Sequence, residues 1–355
     1  MAYTDIDKPS DYFNTLLYTA NNTGGTSITG VGFQPDLIWF KNRTSAYGHR
    51  LCDSIRGANK LLSSNASSAE ATPTDSVRSI DSDGFTLGVD NEGYGVNYPN
   101  GNNIASWNWL ASNTTASNTD GSITSTVSAN TTSGFSIVSY TGNGTGGATV
   151  GHGLSSTPHM YIVKRRDVGS SNWHVYHQGI GATKGLRLNL DNAENTTDIW
   201  QDTAPTSSVF SLGSSIDVNA SGGSYIAYCF AEKQGFSKFG SYTGNGSTDG
   251  TFVYTGGMKP AFLIVKKTDS VNSWVMFDNK RSSSGGSNEI DFSLTANSSD
   301  AEETGTTSSD VDFCANGVKI REDNGGVNAS GGSYIYMTFA ENPFVTSTGV
   351  PATAR

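Results

Sequence analysis

Glu289 and Asp291, in Glu289-Ile290-Asp291-Phe292, stand one residue apart and so share a face of any strand that carries them. A glycoside hydrolase needs paired carboxylates of this kind, with nucleophile and acid/base flanking one glycosidic bond. Ser293 and Leu294 follow without a further carboxylate, and the matching stretch of an internal repeat, Arg187-Leu188-Asn189-Leu190, has no carboxylate pair. Catalysis is not expected there. His174 and His177, with Asp167 upstream, are metal-ligand types. Residues three apart on a strand point to opposite faces and cannot close on one ion, so surface histidines are the expectation. Asp191-Asn192-Ala193-Glu194 and Asp323-Asn324-Gly325-Gly326 offer oxygen ligands for calcium. The same residues are the ordinary chemistry of turns, which is the preferred reading. Trp107 with Trp109, and Tyr334 with Tyr336, form ladders that can stack on sugar rings or fill a core, and core or inter-domain packing is expected. Ser-His-Asp sites, phosphate-cradling loops and paired CxxC motifs are absent. No catalytic, cofactor-binding or metal-ligating residue is assigned, and the protein is not expected to be an enzyme.

The elements that would position these residues come from a repeat. Gly222-Gly223-Ser224-Tyr225-Ile226-Ala227-Tyr228-Cys229-Phe230-Ala231-Glu232 returns as Gly331-Gly332-Ser333-Tyr334-Ile335-Tyr336-Met337-Thr338-Phe339-Ala340-Glu341, with a weaker echo at 102–112. Each copy is a β-branched and aromatic run entered from a Gly/Asn turn, and each closes a segment of about a hundred residues. The strands Pro35 to Lys41, Pro158 to Lys164 and Pro260 to Lys266 also match, with Trp39 aligned to Ile162 and Ile264 as buried bulk. Gly134-Phe135 and Gly235-Phe236 open alternating runs that end in Gly-Asn-Gly turns. Many short strands and no amphipathic helix predict an all-β chain of three tandem jelly-roll-like antiparallel β-sandwiches. The expected division is an N-terminal arm at 1–13 and sandwiches at 14–112, 134–233 and 234–342. A flexible Ser/Thr/Asn-rich linker without a core of its own occupies 113–133, and an extended tail 343–355. Within the linker, Ser122 to Ser128 alternates as an added strand would.

The net charge of −10, with no Lys/Arg run to offset it, argues against a nucleic-acid partner. Lys164-Arg165-Arg166 and Lys266-Lys267 are expected to be solvated strand ends. Three cysteines, Cys52, Cys229 and Cys314, cannot close a disulfide framework and are expected to be small buried side chains. The polar start, Met1 to Lys8, is unlike a signal peptide, and no apolar run is long enough to span a membrane. Synthesis in a cytoplasm without membrane insertion is the expectation.

The two ends, Met1 to Phe13 and Phe344 to Arg355, together with Gly32-Phe33-Gln34-Pro35-Asp36, Asp83-Gly84-Phe85-Thr86 and Ser139-Tyr140-Thr141-Gly142-Asn143-Gly144, resemble a family of marine bacteriophage virion proteins of cyanophage and pelagiphage type. Members are labelled structural, tail-fibre-like or lectin/glucanase-like, on the strength of a concanavalin-A-like sandwich. Glu289 to Phe292 likewise resembles part of the nucleophile strand of laminarinase-type hydrolases. The virion resemblance covers the whole chain and brings no catalytic residues. It implies a virion component that assembles with other virion proteins and with itself. Three roles follow from it: an adhesion or fibre protein contacting host surface glycans, a capsid or tail decoration protein, and, less favoured, a glycan depolymerase.

Overall fold

A computed structural model describes residues 3–282, 288–304 and 310–351. Its regular structure is antiparallel strand, apart from single short turns of helix at Pro9–Asp11 and Ile216–Asn219 among the described residues. The repeats build the same pair of sheets. In the first, strands Phe13–Thr19, Asn103–Trp109, Leu37–Asn42, Arg50–Asp53 and Gly57–Leu62 lie side by side in that order, facing a small sheet of Thr26–Thr29, Gly84–Leu87 and Val77–Asp81. The second and third keep this order, with Ser224–Phe230 and Ser333–Pro343 in the place of Asn103–Trp109. The repeated run that closes each segment in sequence therefore lies in its large sheet between the first and third of these strands of its own repeat. The first, last and third strands in one sheet, and the second against the returning strand in the other, give the wrapping of a sandwich.

The reason these strands read as unbroken apolar runs is that both faces are buried. Tyr225, Ala227 and Cys229 point into the second sandwich with Val138, Val163 and Phe210. Ile226, Tyr228 and Phe230 point the other way, into a cluster that also holds Trp107 and Trp109 of the first repeat and Ile335, Met337 and Phe339 of the third. The large sheets thus turn their outer faces to one another around a shared centre. Phe13 stacks on Phe339 at 5.1 Å, and Trp109 meets Phe230, Phe262 and Phe339 within 6.4 Å. Trp39 sits in this cluster with Ile162 and Ile264, as expected. Three sandwiches joined only by connectors do not describe this packing.

The 113–133 segment is a correction. Ala116–Asn118 and Ser125–Asn130 are strands added to the second large sheet, through Phe135–Thr141, and Ile123 and Val127 enter the second core. Ser/Thr-rich composition suits an edge strand as well as a flexible tether, and the Ser122 to Ser128 alternation was the better signal. The N-terminal arm is docked: Ile6 is buried in the shared core, the Tyr3 hydroxyl donates to the Gly257 carbonyl at 2.8 Å, and the Ser347 amide of the tail donates to Asp7 at 2.6 Å. Residues 352–355 of the tail lie outside the described residues.

Candidate ligand cleft between the second and third repeats

Equivalent residues hold the repeats together in a cycle. Lys41, Lys164 and Lys266 are the last residue but one of the strands Leu37–Asn42, Met160–Arg165 and Met258–Lys267 and are buried. Each ammonium donates to its own neighbour's carbonyl and to one from the adjacent repeat: Lys41 to Ser299 at 3.1 Å, Lys164 to Ser67 at 3.4 Å and Lys266 to Asp191 at 3.1 Å. Burial lowers the three basicities, Lys41 to about 7 and Lys164 and Lys266 to about 8. The expectation of solvated strand ends fails for Lys164 and Lys266 because the next repeat covers them. Beside them on the fourth strand, Trp173 and Trp274 donate their indole N–H across the same boundaries, to Ser63 and Arg187 carbonyls at 2.8 and 2.9 Å. His49 takes this place in the first repeat. Its Nδ1 accepts from Trp39, so Nε2 carries the proton and donates to the Thr295 carbonyl at 3.0 Å. Burial pushes its pKa well below the usual imidazole value.

The end of the fourth strand differs between repeats. In the first, Asp53 caps the following amides and holds Arg56 at 2.5 Å and the Tyr228 hydroxyl of the second repeat at 2.8 Å. Arg56 reaches Glu70 at 3.1 Å, and Glu70 takes Arg166 of the second repeat at 2.8 Å. The third repeat copies this against the first: Asp278 holds Arg281 at 2.5 Å and the Trp107 indole at 2.9 Å, while Glu302 takes Arg281 at 2.8 Å and Arg43 at 2.7 Å. The second repeat faces the third with different residues. His177 stands in place of the aspartate, its Nδ1 accepting from the Gly179 amide at 3.0 Å and its Nε2 donating to the Tyr336 carbonyl at 3.1 Å. Burial lowers its pKa to about 4, so it is neutral. Ile180 replaces the first arginine and Thr268 the second. An uncharged acceptor suits a site without a guanidinium, because a carboxylate there would be a buried unpaired charge.

Loss of both arginines leaves a cleft of about 460 Å³ at this boundary, lined by Ile180, Lys184 and Glu194 on one side and Tyr242, Thr268 and Ser333 on the other. Glu194 is still held as its equivalents are. Its amide donates to the Thr268 carbonyl at 2.8 Å, as those of Glu70 and Glu302 do to Arg166 and Arg43 at 2.9 Å. Its ion pair among the described residues is with Lys184 at 3.4 Å, both side chains partly exposed. The cleft can bind a polar or cationic group.

The residues singled out from sequence go elsewhere. Glu289 lies in a two-residue strand of the small sheet, whereas Asp291 lies just before Phe292–Thr295 of the large sheet, so the chain changes sheets between them. His174 and His177 point to different partners, as strand geometry requires, but both are buried: His174 meets Asp217 at 3.0 Å. The surface reading is corrected. The Asp191 carbonyl accepts from the Asn272 amide at 2.8 Å and Asn324 closes a turn onto Gly326 at 2.9 Å. Among the described residues, no group of three or more His, Cys, Asp or Glu side chains is placed to hold a metal ion. Trp107, Trp109, Tyr334 and Tyr336 are all buried. Cys52 and Cys229 are buried and Cys314 half-buried, all three as free thiols. The cleft itself was missed. Its signal was present: Asp53-Ser54-Ile55-Arg56 and Asp278-Asn279-Lys280-Arg281 align with His177-Gln178-Gly179-Ile180.

The fold and site define an all-β protein of three sandwich repeats fused around one core, with a polar cleft at one of three related boundaries. No helix among the described residues is long and apolar enough to cross a membrane. The chain belongs to the family described as a domain of unknown function, DUF7483, which matches residues 8–343. No curated protein and no solved structure matches it.

Proposed function

We propose that this chain is a non-catalytic structural component of a bacteriophage particle, of adhesion or tail-fibre type, that contacts glycans of the host surface. The observation that carries the glycan contact is an aromatic pair on the third repeat. Phe252 and Tyr254 flank the inward Val253 on the edge strand Phe252–Tyr254 and are 45% and 58% exposed. The corresponding strands Thr26–Thr29 and Ala148–Gly151 carry no aromatic. Gly317 on the neighbouring strand leaves room for the Phe252 ring, since a Cβ there would meet that ring at 2.4 Å. Adjacent exposed rings on a rigid sheet suit stacking against the apolar faces of sugars. The resemblance to virion proteins supplies the particle, and fold alone does not choose among roles. A decoration role without glycan is the second reading. The shared core favours it, because three sandwiches locked together make a stiff block suited to spacing or clamping other virion proteins.

Glycan-array binding by the purified chain tests the first reading, with the Phe252→Ala/Tyr254→Ala double variant as control. Binding that the double variant loses supports adhesion. No binding, with antibody label spread over the virion head in electron micrographs, sinks adhesion and leaves decoration.

A further inference from the structure

We propose that the cleft between the second and third repeats is a guanidinium site, filled by an arginine side chain that a partner protein supplies. The protein contains its own precedent twice. At the boundary of the first and second repeats Glu70 receives Arg56 and Arg166, and at the boundary of the third and first Glu302 receives Arg281 and Arg43. At the remaining boundary the glutamate persists as Glu194, positioned by the same amide-to-carbonyl bond, while both arginines are gone and the space stands open.

What remains matches a guanidinium better than other groups. A carboxylate accepts two parallel N–H bonds from that planar fork, as Glu302 does from Arg43 Nε and Nη2 at 2.9–3.0 and 2.7 Å. Lys184, at 3.4 Å, offers a point charge and leaves that geometry unused. Ile180 supplies an apolar wall, with hydroxyl residues Thr183, Ser241 and Thr243 around it. The formal charge of −10 favours a cationic partner at long range. The inference is independent of where on a particle the chain sits and of any glycan contact.

The test is a calorimetric titration of the full chain with N-acetyl-L-arginine amide, in parallel with N-acetyl-L-lysine amide and free L-arginine. Saturable binding of the blocked arginine is expected, with a Kd on the order of 1 mM. The blocked lysine should bind at least about tenfold more weakly, and Glu194→Gln should weaken arginine binding by at least about tenfold. A triple variant, His177→Asp with Ile180→Arg and Thr268→Arg, restores the aspartate and both arginines of the other boundaries, without the hydroxyl or indole donor that the neighbouring repeat supplies there. It should abolish binding, because its own guanidinium groups occupy Glu194; if it does not fold, Glu194→Gln decides alone. No saturable binding, equal lysine binding, or an unchanged Glu194→Gln overturns the proposal. Free arginine binding about tenfold tighter than the blocked form overturns the protein-partner part and points to a small-molecule site.

Discussion

Lys41, Lys164 and Lys266 carry amines that burial makes less basic, and His49 and His177 carry imidazoles shifted the same way. When a folded-state pKa is lowered, the unfolded chain binds more protons between the two values, so stability rises with pH across that interval. For His177 the interval runs from about 4 to 6.5, and for Lys41 from about 7 to 10.5. From about pH 9 an opposite contribution grows: burial raises the pKa of the Cys52 and Cys229 thiols and of Tyr18, Tyr140 and Tyr228, so the unfolded thiols and then the unfolded phenols lose protons first. Urea midpoints should climb from pH 5 to about pH 9 and then fall. Lys41→Met should flatten the limb above pH 7, whatever it does to the midpoint at any one pH. An unchanged slope in that variant places the titration elsewhere. These lysines were legible as a repeated position and illegible as buried ones, because a lysine ending a strand looks the same whether water or another repeat covers it.

Each large sheet presents a Gly-Asn-Gly or related turn after its first strand, and each turn is pinned by one buried asparagine. Asn328 donates to Asn245 Oδ1 and to the Ser247 and Glu322 carbonyls at 2.8–2.9 Å, and accepts from the Asn245 amide at 3.0 Å. Asn219 and Asn97 do the same work in the other repeats, and the preceding Val327, Val218 and Val96 carbonyls accept from Tyr242, Tyr140 and Tyr18. Asn328→Asp turns a donor into a charged acceptor facing three oxygens. It should cost at least about 3 kcal/mol in urea unfolding and speed amide exchange over 243–251. An effect below about 1 kcal/mol would mean that the loop finds other partners. The turns themselves were readable from Gly and Asn, whose tolerance of positive φ marks them. Their pins were not, since a Val-Asn pair some eighty residues away carries no local periodicity. The strands were readable from β-branched and aromatic runs. That those runs lacked polar alternation was the unread half of the signal: a strand covered on one face alternates, and these do not.

At the scale of the molecule, the shared centre makes three repeats one folding unit. Phe339→Ala removes a ring that touches Phe13, Trp109, Phe230 and Phe236, from all three repeats, and should cost about 3–5 kcal/mol. The loss should shift one transition seen alike by tryptophan fluorescence and far-ultraviolet dichroism. Separate transitions for the repeats would refute a common core. Residues 114–233 alone should not fold cooperatively, because Ile137, Ile162, Trp173, Tyr228 and Phe230 would face water. The number of repeats followed from sequence similarity. Their mutual arrangement did not, because it depends on pairs such as Tyr228 with Asp53 that no single repeat contains.

Those pairs also act as addresses. Asp53 and Arg56 meet a hydroxyl from the repeat that follows, Asp278 and Arg281 meet an indole from the first, and His177 with Ile180 needs neither. A shuffled chain, with the second and third repeats exchanged, would keep composition, strand pattern and every sandwich interior. It would nevertheless set Asp53 and Arg56 against Met337, and Glu70 against Thr268. The ring can be read in one direction only, and its three joints are not interchangeable.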